Sequence, residues 1–457
     1  MQMRRLEGRI MDYKVLYEKT PVGRLFAIVA VPGIISMLVS SFYQLFDGIF
    51  VGQILGADAF AAVNLVMPFV IINFSVADLI GVGSAVPIAI RLGEKKEKEA
   101  CNIFTSACLL IVGAAVVLGA VLFFFTDDIL RLMGAESSLI TQASQYIRVY
   151  ALCSPVTTIV FAMDNYLRIC GRIRYSMVLN ILMSGLSAGL EFLFLYVFRF
   201  GIWGAALGTC LGMSVCAVLA FAPFAKGRMQ LRFGRPKMSG AVLKSILTNG
   251  CPSFLNNLAG RITSIVMNIF LLRLGGAAAV SVYGVLMYVD GFVQPLLYGM
   301  CDSLQPAVGY NWGARNTARV KAIEKRCFSM AAAVSVAMAA VILLARGGIA
   351  RLFVQASDTE LMQMTIHALL LFAFTYVTRW LSFATQSFMS AVEKPGYATL
   401  LSVSTALVFP VILLVALESI GLDGIWLNFP LTSLLCGVMA AVILLRFRKK
   451  LRMEKNA

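Results

Sequence analysis

Acidic residues inside long apolar stretches are the side chains of this sequence best suited to chemistry. Asp47 and Glu191 lie in such stretches, and neither has a basic residue within one helical turn. A charge inside a bilayer costs about 2.5–3.5 kcal/mol on insertion scales, so such residues usually face an internal cavity and mark an ion or substrate pathway. An acid in this setting can bind a proton and exchange it for Na⁺ or a cationic substrate. Both residues are therefore predicted to couple ions, with a structural hydrogen bond or ion pair as the alternative for each.

Other ionisable residues in the apolar stretches are candidates for lining a substrate cavity. They are Asp78, Asp164, Asp290 and Arg261. The three acids lie nearer to glycine-rich crossings or helix ends, which favours a structural hydrogen bond or ion pair for each of them.

The sequence predicts neither a structural metal site nor a disulfide. None of the ten cysteines clusters with the only histidine, His367, and no CxxC pair occurs. Both kinds of site need such clusters or pairs. The only metal ion that the residues suggest is Na⁺ at Asp47 and Glu191.

The composition indicates whether the helices that carry these residues lie in water or in lipid. The chain has 457 residues, of which 60% are hydrophobic and 14% charged, and its mean hydropathy is +0.84. Soluble domains carry about 25% charged and about 45–50% apolar residues. So much apolar surface cannot be hidden from water, so the chain is predicted to be a polytopic membrane protein.

Apolar runs long enough to cross a bilayer, which requires about 20 residues, occur twelve times. They lie near residues 22–50, 58–90, 101–125, 140–168, 175–199, 202–225, 240–272, 278–310, 322–345, 361–390, 395–418 and 422–446. The predicted fold class is all-α, with twelve transmembrane helices in two pseudo-symmetric lobes of six.

Two similar halves are indicated by an internal repeat. The turn-like segment 55–63 is echoed by 274–282, and 201–204 is echoed by 421–424. Many transporters are built from such repeats around a central site. The predicted organisation is a cytoplasmic amphipathic N-terminus (1–21), an N-lobe (22–226), a cytoplasmic basic linker (227–239), a C-lobe (240–447) and a cytoplasmic tail (448–457).

Basic residues set the predicted orientation. Lys and Arg are concentrated before the first apolar run, after every second run and in the C-terminal tail. The positive-inside rule then places both termini in the cytoplasm. The net charge of +16 is explained by topology and by attraction to an anionic inner leaflet. The expected partner is therefore the lipid bilayer, and no nucleic acid is expected.

Several motifs resemble those of the multidrug and toxic compound extrusion (MATE) transporters. Residues 305–314, QPAVGYNWGA, are similar to the family pattern QPxxGYNxGA. Asp47 followed by Val51-Gly52 and by segment 55–63 resembles the first-helix motif, and residues 167–174 resemble the loop between helices four and five. The likeness covers about residues 20–450 and favours a bacterial DinF/MepA-like branch.

The resemblance implies a V-shaped cavity between the lobes and efflux driven by H⁺ or Na⁺. Its first-lobe ion site falls on Asp47, Tyr146, Ser187, Glu191 and Thr209, and Pro32 matches the proline at which helix one is thought to bend. Ser187 stands where many members have Asn, and Glu191 stands where most have Asp. Val403 and Ser404 stand where helix eleven often carries Arg.

The predicted function is a monomeric antiporter that exports organic cations or drugs, with no cofactor beyond its coupling ion. The runner-up is a lipid-linked oligosaccharide flippase, which would need a cationic cavity, for which Arg148, Arg261 and Arg379 are the only candidates. An enzyme is disfavoured because HExxH, GxSxG and an acidic pair with His are missing. The two-lobe repeat argues against a receptor or a channel. No GxxxxGK[ST] motif occurs, so ATP is not the expected energy source.

Overall fold

The computed structural model describes residues 13–132, 136–355 and 357–456, without the side chains of 45, 48, 49, 52, 57 and 452–456. Within these ranges the chain is helical and contains no β-strand. The first twelve residues of the predicted amphipathic N-terminus and the last residue of the predicted tail lie outside the described residues.

The described residues of the first half of the chain form seven α-helices. They are α1 (Val22–Phe50), α2 (Ala57–Gly93), α3 (Glu97–Leu132), α4 (Ser137–Thr157), α5 (Ile159–Ile169), α6 (Ile173–Phe192) and α7 (Ile202–Ala225). Single π-helical turns precede or extend some of them, at Val15–Lys19, Val51–Leu55 and Leu193–Val197.

Eight α-helices follow in the part of the second half that the structure describes. They are α8 (Gly240–Cys301), α9 (Gln305–Gly313), α10 (Thr317–Phe353), α11 (Thr359–Ala373), α12 (Thr375–Ala391), α13 (Pro395–Val403), α14 (Phe409–Leu417) and α15 (Leu422–Asn456). Short 3₁₀ turns at Asp302–Leu304 and Glu418–Ile420 and a π-helical turn at Ser404–Val408 join consecutive helices.

The number of membrane spans follows from length. Ten stretches of the described chain are long and apolar enough to cross a membrane. The helices α11 and α12, which meet at a bend of 44°, form one further span, so that there are eleven. One of the ten, Gly240–Gly313, has 74 residues and would measure about 110 Å as a straight helix, against a hydrocarbon core of about 30 Å. Gly276 interrupts it with φ 61°, a conformation that glycine adopts readily. Two spans meet there, and the predicted all-α polytopic fold with twelve spans is confirmed.

Large apolar side chains on the outer helix faces are exposed rather than packed. Phe124 is 70% exposed and Leu344 is 88% exposed. In water such surface would be costly, whereas lipid tails are as apolar as these side chains. The exposure therefore agrees with a bilayer as the surrounding solvent.

The chain divides into two compact units. The first comprises Met1–Gly250 with Gly309–Thr317, and the second comprises Cys251–Val308 with Ala318–Ala457. Residues 227–239, predicted to be a linker, thus lie within the first unit. Each unit has its own apolar core, which includes Val66, Ile147 and Leu195 in the first and Leu286, Phe372 and Trp426 in the second.

In the first unit, the end of the QPAVGYNWGA motif holds the segment that precedes α1. The Tyr310 hydroxyl donates to Glu18 Oε1 (2.6 Å), and Asn311 Nδ2 donates to the carbonyl oxygen of Tyr17 (3.1 Å). A Cβ added at Gly313 would lie 2.1 Å from the carbonyl oxygen of Ile90, so only glycine allows the helices to approach this closely. The motif therefore has a packing role that its residue types explain.

Candidate functional site

Asp47 and Glu191, which are 144 positions apart in the sequence, meet in the first unit. Helix α1 carries Asp47 near its end, α6 carries Glu191 near its end, and the two carboxyl groups lie within hydrogen-bonding reach of each other. Glu191 is 0% exposed. Neither of its carboxyl oxygens accepts a hydrogen bond from a donor among the described residues. Two carboxyl groups in contact repel each other when both are ionised, so the pair requires a proton or another cation.

Hydroxyl groups surround the carboxyl pair. The hydroxyls of Tyr43 and Thr209 are 2.7 Å apart, and Ser187 Oγ donates to the carbonyl oxygen of Thr209 (3.4 Å). Tyr43 also lies within hydrogen-bonding reach of Asp47. The site is thus lined by oxygen atoms from α1, α6 and α7.

Helix α4 closes the site with Tyr146. Its side chain is 1% exposed, lies within electrostatic range of Asp47 and Glu191, and packs against the ring of Tyr150 with centroids 5.2 Å apart. All five residues predicted for ion coupling are therefore together in one unit. Their role in coupling stays a prediction.

Sequence reasoning missed Tyr43. It lies four residues before Asp47 on α1, so the two side chains share one helix face. That spacing is a signal from which the contact could have been predicted.

Two glycines set the distance between α6 and α7. A Cβ added at Gly208 would lie 2.6 Å from Glu191 Cα, and one added at Gly212 would lie 2.4 Å from Ser187 Oγ. Glycines four residues apart let transmembrane helices approach at backbone distance. The backbone of α6 at Ser187 and Glu191 is therefore held directly against α7.

Gly208→Ala is expected to destabilise the protein by about 1–3 kcal/mol, because the added methyl group has no space against the α6 backbone. The measurement is thermal unfolding of purified protein in detergent, together with transport. Gly189→Ala is the matched control, since nothing lies within 4 Å of its added Cβ, and alanine there is neutral or stabilising by up to about 1 kcal/mol. Equal unfolding midpoints for the two variants would contradict the packing argument.

Irregular helical turns follow both carboxyl-bearing helices. The π-helical turn Val51–Leu55 comes directly after α1, and Leu193–Val197 comes directly after α6. Single π-turns widen a helix locally and are frequent at functional sites. Pro32 lies inside α1, and its carbonyl oxygen accepts a hydrogen bond from Ser36 Oγ (2.9 Å).

The acids proposed for a substrate cavity have different surroundings. Asp78, on α2, has no hydrogen-bond or ion-pair partner among the described side chains. Asp164, on α5, pairs with Arg168 (2.7 Å) and accepts hydrogen bonds from Ser176 and Asn180. Asp164 therefore has a structural ion pair, and Asp78 is the better candidate for a cavity.

In the second unit, Asp290 is also paired. Its carboxyl oxygens lie 3.1 and 3.5 Å from the guanidinium nitrogens of Arg379, and the Tyr376 hydroxyl donates to it. Arg261, by contrast, is exposed. The structure thus assigns Asp290 a structural ion pair and leaves a cavity role for both residues a prediction.

The described residues hold no cluster of three or more His, Cys, Asp or Glu that could bind a metal ion. The Asp47–Glu191 pair offers carboxylate, hydroxyl and carbonyl oxygens, which are the ligands that hard cations take. The oxygen atoms of this site therefore suit a proton or a hard cation such as Na⁺.

Comparison with known proteins identifies a family that matches this chain. The MatE family model matches residues 32–193 and 252–415. The multidrug export protein MepA of Staphylococcus aureus (strain MSSA476) is 24% identical over 446 residues, which are 96% of this chain and 97% of that protein.

Solved structures share the fold. A crystal structure of MATE in complex with MaL6 aligns with a TM-score of 0.91 at 24% identity and covers 98% of this chain and 100% of that one. An outward-facing multidrug resistance MATE family transporter of the MOP superfamily aligns with a TM-score of 0.86 at 24% identity, covering 98% of both chains.

Proposed function

Because the chain belongs to the MatE family, we propose that it is an antiporter that exports organic cations or drugs in exchange for H⁺ or Na⁺. The similarity to a multidrug export protein over 96% of the chain supports the export of small molecules. The contact of Asp47 with Glu191 carries the coupling part of the proposal.

The carboxyl pair needs a cation because no basic side chain among the described residues pairs with Asp47 or Glu191. Glu191 is fully buried, and neither of its oxygens has a hydrogen-bond partner among the described residues. A buried charge without a partner is unfavourable by several kcal/mol. A proton shared by the two carboxyl groups, or one Na⁺ held by them with the hydroxyl of Thr209, reduces this penalty.

Exchange follows if the ion and the substrate compete for the same negative charge. An ion bound at Asp47 and Glu191 removes one negative charge from the site, and a cationic substrate is then held less strongly and is released outward. Helix α1 relaxes around Pro32 in this step, and return of the ion to the cytoplasm restores the negative site. Moving one charge is worth about 2.3 kcal/mol per 100 mV, so a membrane potential can also drive the cycle.

The charge distribution supports a bacterial inner-membrane location with both termini in the cytoplasm. The segments predicted to be cytoplasmic carry most of the 39 basic residues, as the positive-inside rule requires. The expected functional unit is a monomer.

The ion pairs argue against the flippase. Arg148 pairs with Asp127 (3.0 Å), and Arg379 pairs with Asp290 (3.1 Å). Two of the three arginines that could attract a pyrophosphate are thus compensated, so an antiporter of cations remains the better proposal.

Efflux of ethidium from proteoliposomes tests the proposal. Wild-type protein is assayed under an imposed H⁺ gradient, an imposed Na⁺ gradient and no gradient. We expect one of the two gradients to accelerate efflux, which identifies the ion. Folded protein that moves no ethidium under any condition would contradict export of organic cations.

A further inference from the structure

A cavity of about 690 Å³ lies in the first unit between the start of α3 and the segment that follows α7. Ligand-binding cavities have volumes of about 300–1,000 Å³. Its lining includes Glu97, Lys98, Cys101, Asn102 and residues 227–230 and 232–235. None of these residues belongs to the carboxyl site, so the cavity needs a separate explanation.

The charge of the cavity is positive. Lys98, Arg228, Arg232 and Arg235 line it, all four are exposed, and none has an ion-pair partner among the described residues. The only acid in the lining is Glu97, whose Oε1 lies 3.5 Å from Lys14 Nζ, outside the cavity lining. The lining therefore has three more basic than acidic groups, and the acid is already contacted by a cation.

The basic segment is fixed in place by hydrogen bonds to α3. The backbone N–H groups of Arg232, Gly234 and Lys237 donate to Cys101 Sγ (3.3 Å), Thr105 Oγ1 (3.2 Å) and Asn102 Oδ1 (2.6 Å), respectively. Leu231, directly before Arg232, is buried with 0% exposure. The hydrogen bonds therefore fix the backbone of this segment, and with it the positions from which the basic side chains extend into the cavity.

Aromatic rings lie directly beside the basic groups. The ring of Phe233 packs against those of Phe104 and Phe221, with centroids 4.7 and 5.1 Å away, yet Phe233 remains 39% exposed and Phe221 36% exposed. Phe221 belongs to a span that ends at Ala225. The second part of the cavity lining begins two residues later, at Gly227. The cavity thus adjoins the end of a membrane span and combines cationic groups with exposed rings.

We propose that this cavity binds the phosphate-bearing headgroup of an anionic membrane lipid. The basic side chains would receive the phosphate oxygens, since basic groups at a membrane surface attract anionic lipids. The exposed rings beside them would contact the apolar part of the same molecule. A soluble anion would use the charges but not the rings.

Binding of dihexanoyl phosphatidylglycerol to the purified full-length protein tests the proposal, with dihexanoyl phosphatidylcholine as the neutral lipid. Native mass spectrometry and the shift of the thermal unfolding midpoint are the two readouts. The pocket variant is Arg228→Gln, Arg232→Gln and Arg235→Gln. The control variant is Lys321→Gln, Lys325→Gln and Arg326→Gln, which removes the same charge from exposed positions on α10 in the second unit.

We expect wild-type and control protein to bind phosphatidylglycerol, and the pocket variant to bind it roughly 100-fold more weakly. Equal loss in both variants would mean that overall charge attracts the lipid, and equal binding by the pocket variant would mean that the cavity takes no part. Displacement of the lipid by millimolar inorganic phosphate would assign the cavity to a soluble anion. Each of these three results would overturn the proposal.

Discussion

Glu191→Gln is expected to abolish transport driven by the ion gradient. At an effective dielectric constant of 20, a unit charge about 4 Å away is worth about 4 kcal/mol, so the loss of one carboxylate weakens cation binding by roughly 1000-fold. Asp47→Asn should act in the same way, because the two carboxyl groups lie together. Glu191→Asp keeps the charge and should retain coupled transport with an altered ion affinity.

The assay is gradient-driven ethidium efflux from proteoliposomes with matched amounts of folded protein. Asp128→Asn is the control, because it removes an exposed acid near the end of α3, outside the carboxyl site. Coupled efflux by Glu191→Gln at the wild-type rate would show that the buried carboxyl group has only a structural role.

Arg379→Met should destabilise the second unit, because it leaves the carboxylate of Asp290 without its cation. The side chains of Arg379 and Asp290 are only 21% and 13% exposed, and removal of one partner of a buried ion pair costs about 3–5 kcal/mol. Because both side chains keep some exposure to solvent, we expect a loss of stability near the lower end of that range. The double variant Asp290→Asn with Arg379→Met should recover most of the loss, since no charge is then left uncompensated.

A double-mutant cycle on unfolding in detergent measures this coupling. Arg273→Met is the control, because Arg273 pairs with Glu418 at 3.0 Å but is 71% exposed, and exposed pairs contribute about 0–1 kcal/mol. A loss for Arg379→Met no larger than that for Arg273→Met would contradict a structural role for the Asp290–Arg379 pair.

Much of the fold could be predicted because the bilayer requires long apolar runs. The twelve predicted runs fall on helical segments to within two residues, and some helices extend further than their runs: α3 covers Glu97–Leu132, whereas the predicted run covers 101–125. Helices continue beyond the hydrocarbon into polar residues, which hydropathy does not count. The break at Gly276 falls between the predicted runs 240–272 and 278–310.

The carboxyl site was predicted less completely than the fold. The cost of a charge in lipid identified Asp47 and Glu191, but their contact depends on helix packing, which no spacing within one helix reports. The pair Asp164–Arg168, four residues apart on α5, could have been found from spacing. The partner of Asp290 is 89 positions away, and the sequence contains no signal for it.

The glycine contact between α6 and α7 makes one side of the carboxyl site a single rigid unit. Gly208 and Gly212 hold the α6 backbone at Glu191 and Ser187 against α7, so these residues and Thr209 must move as one body. Asp47 lies on α1, between Pro32 and a π-helical turn. The separation of the two carboxyl groups is therefore controlled by α1 alone. A covalent link between α6 and α7 should leave turnover intact, whereas a link between α1 and α7 should stop it.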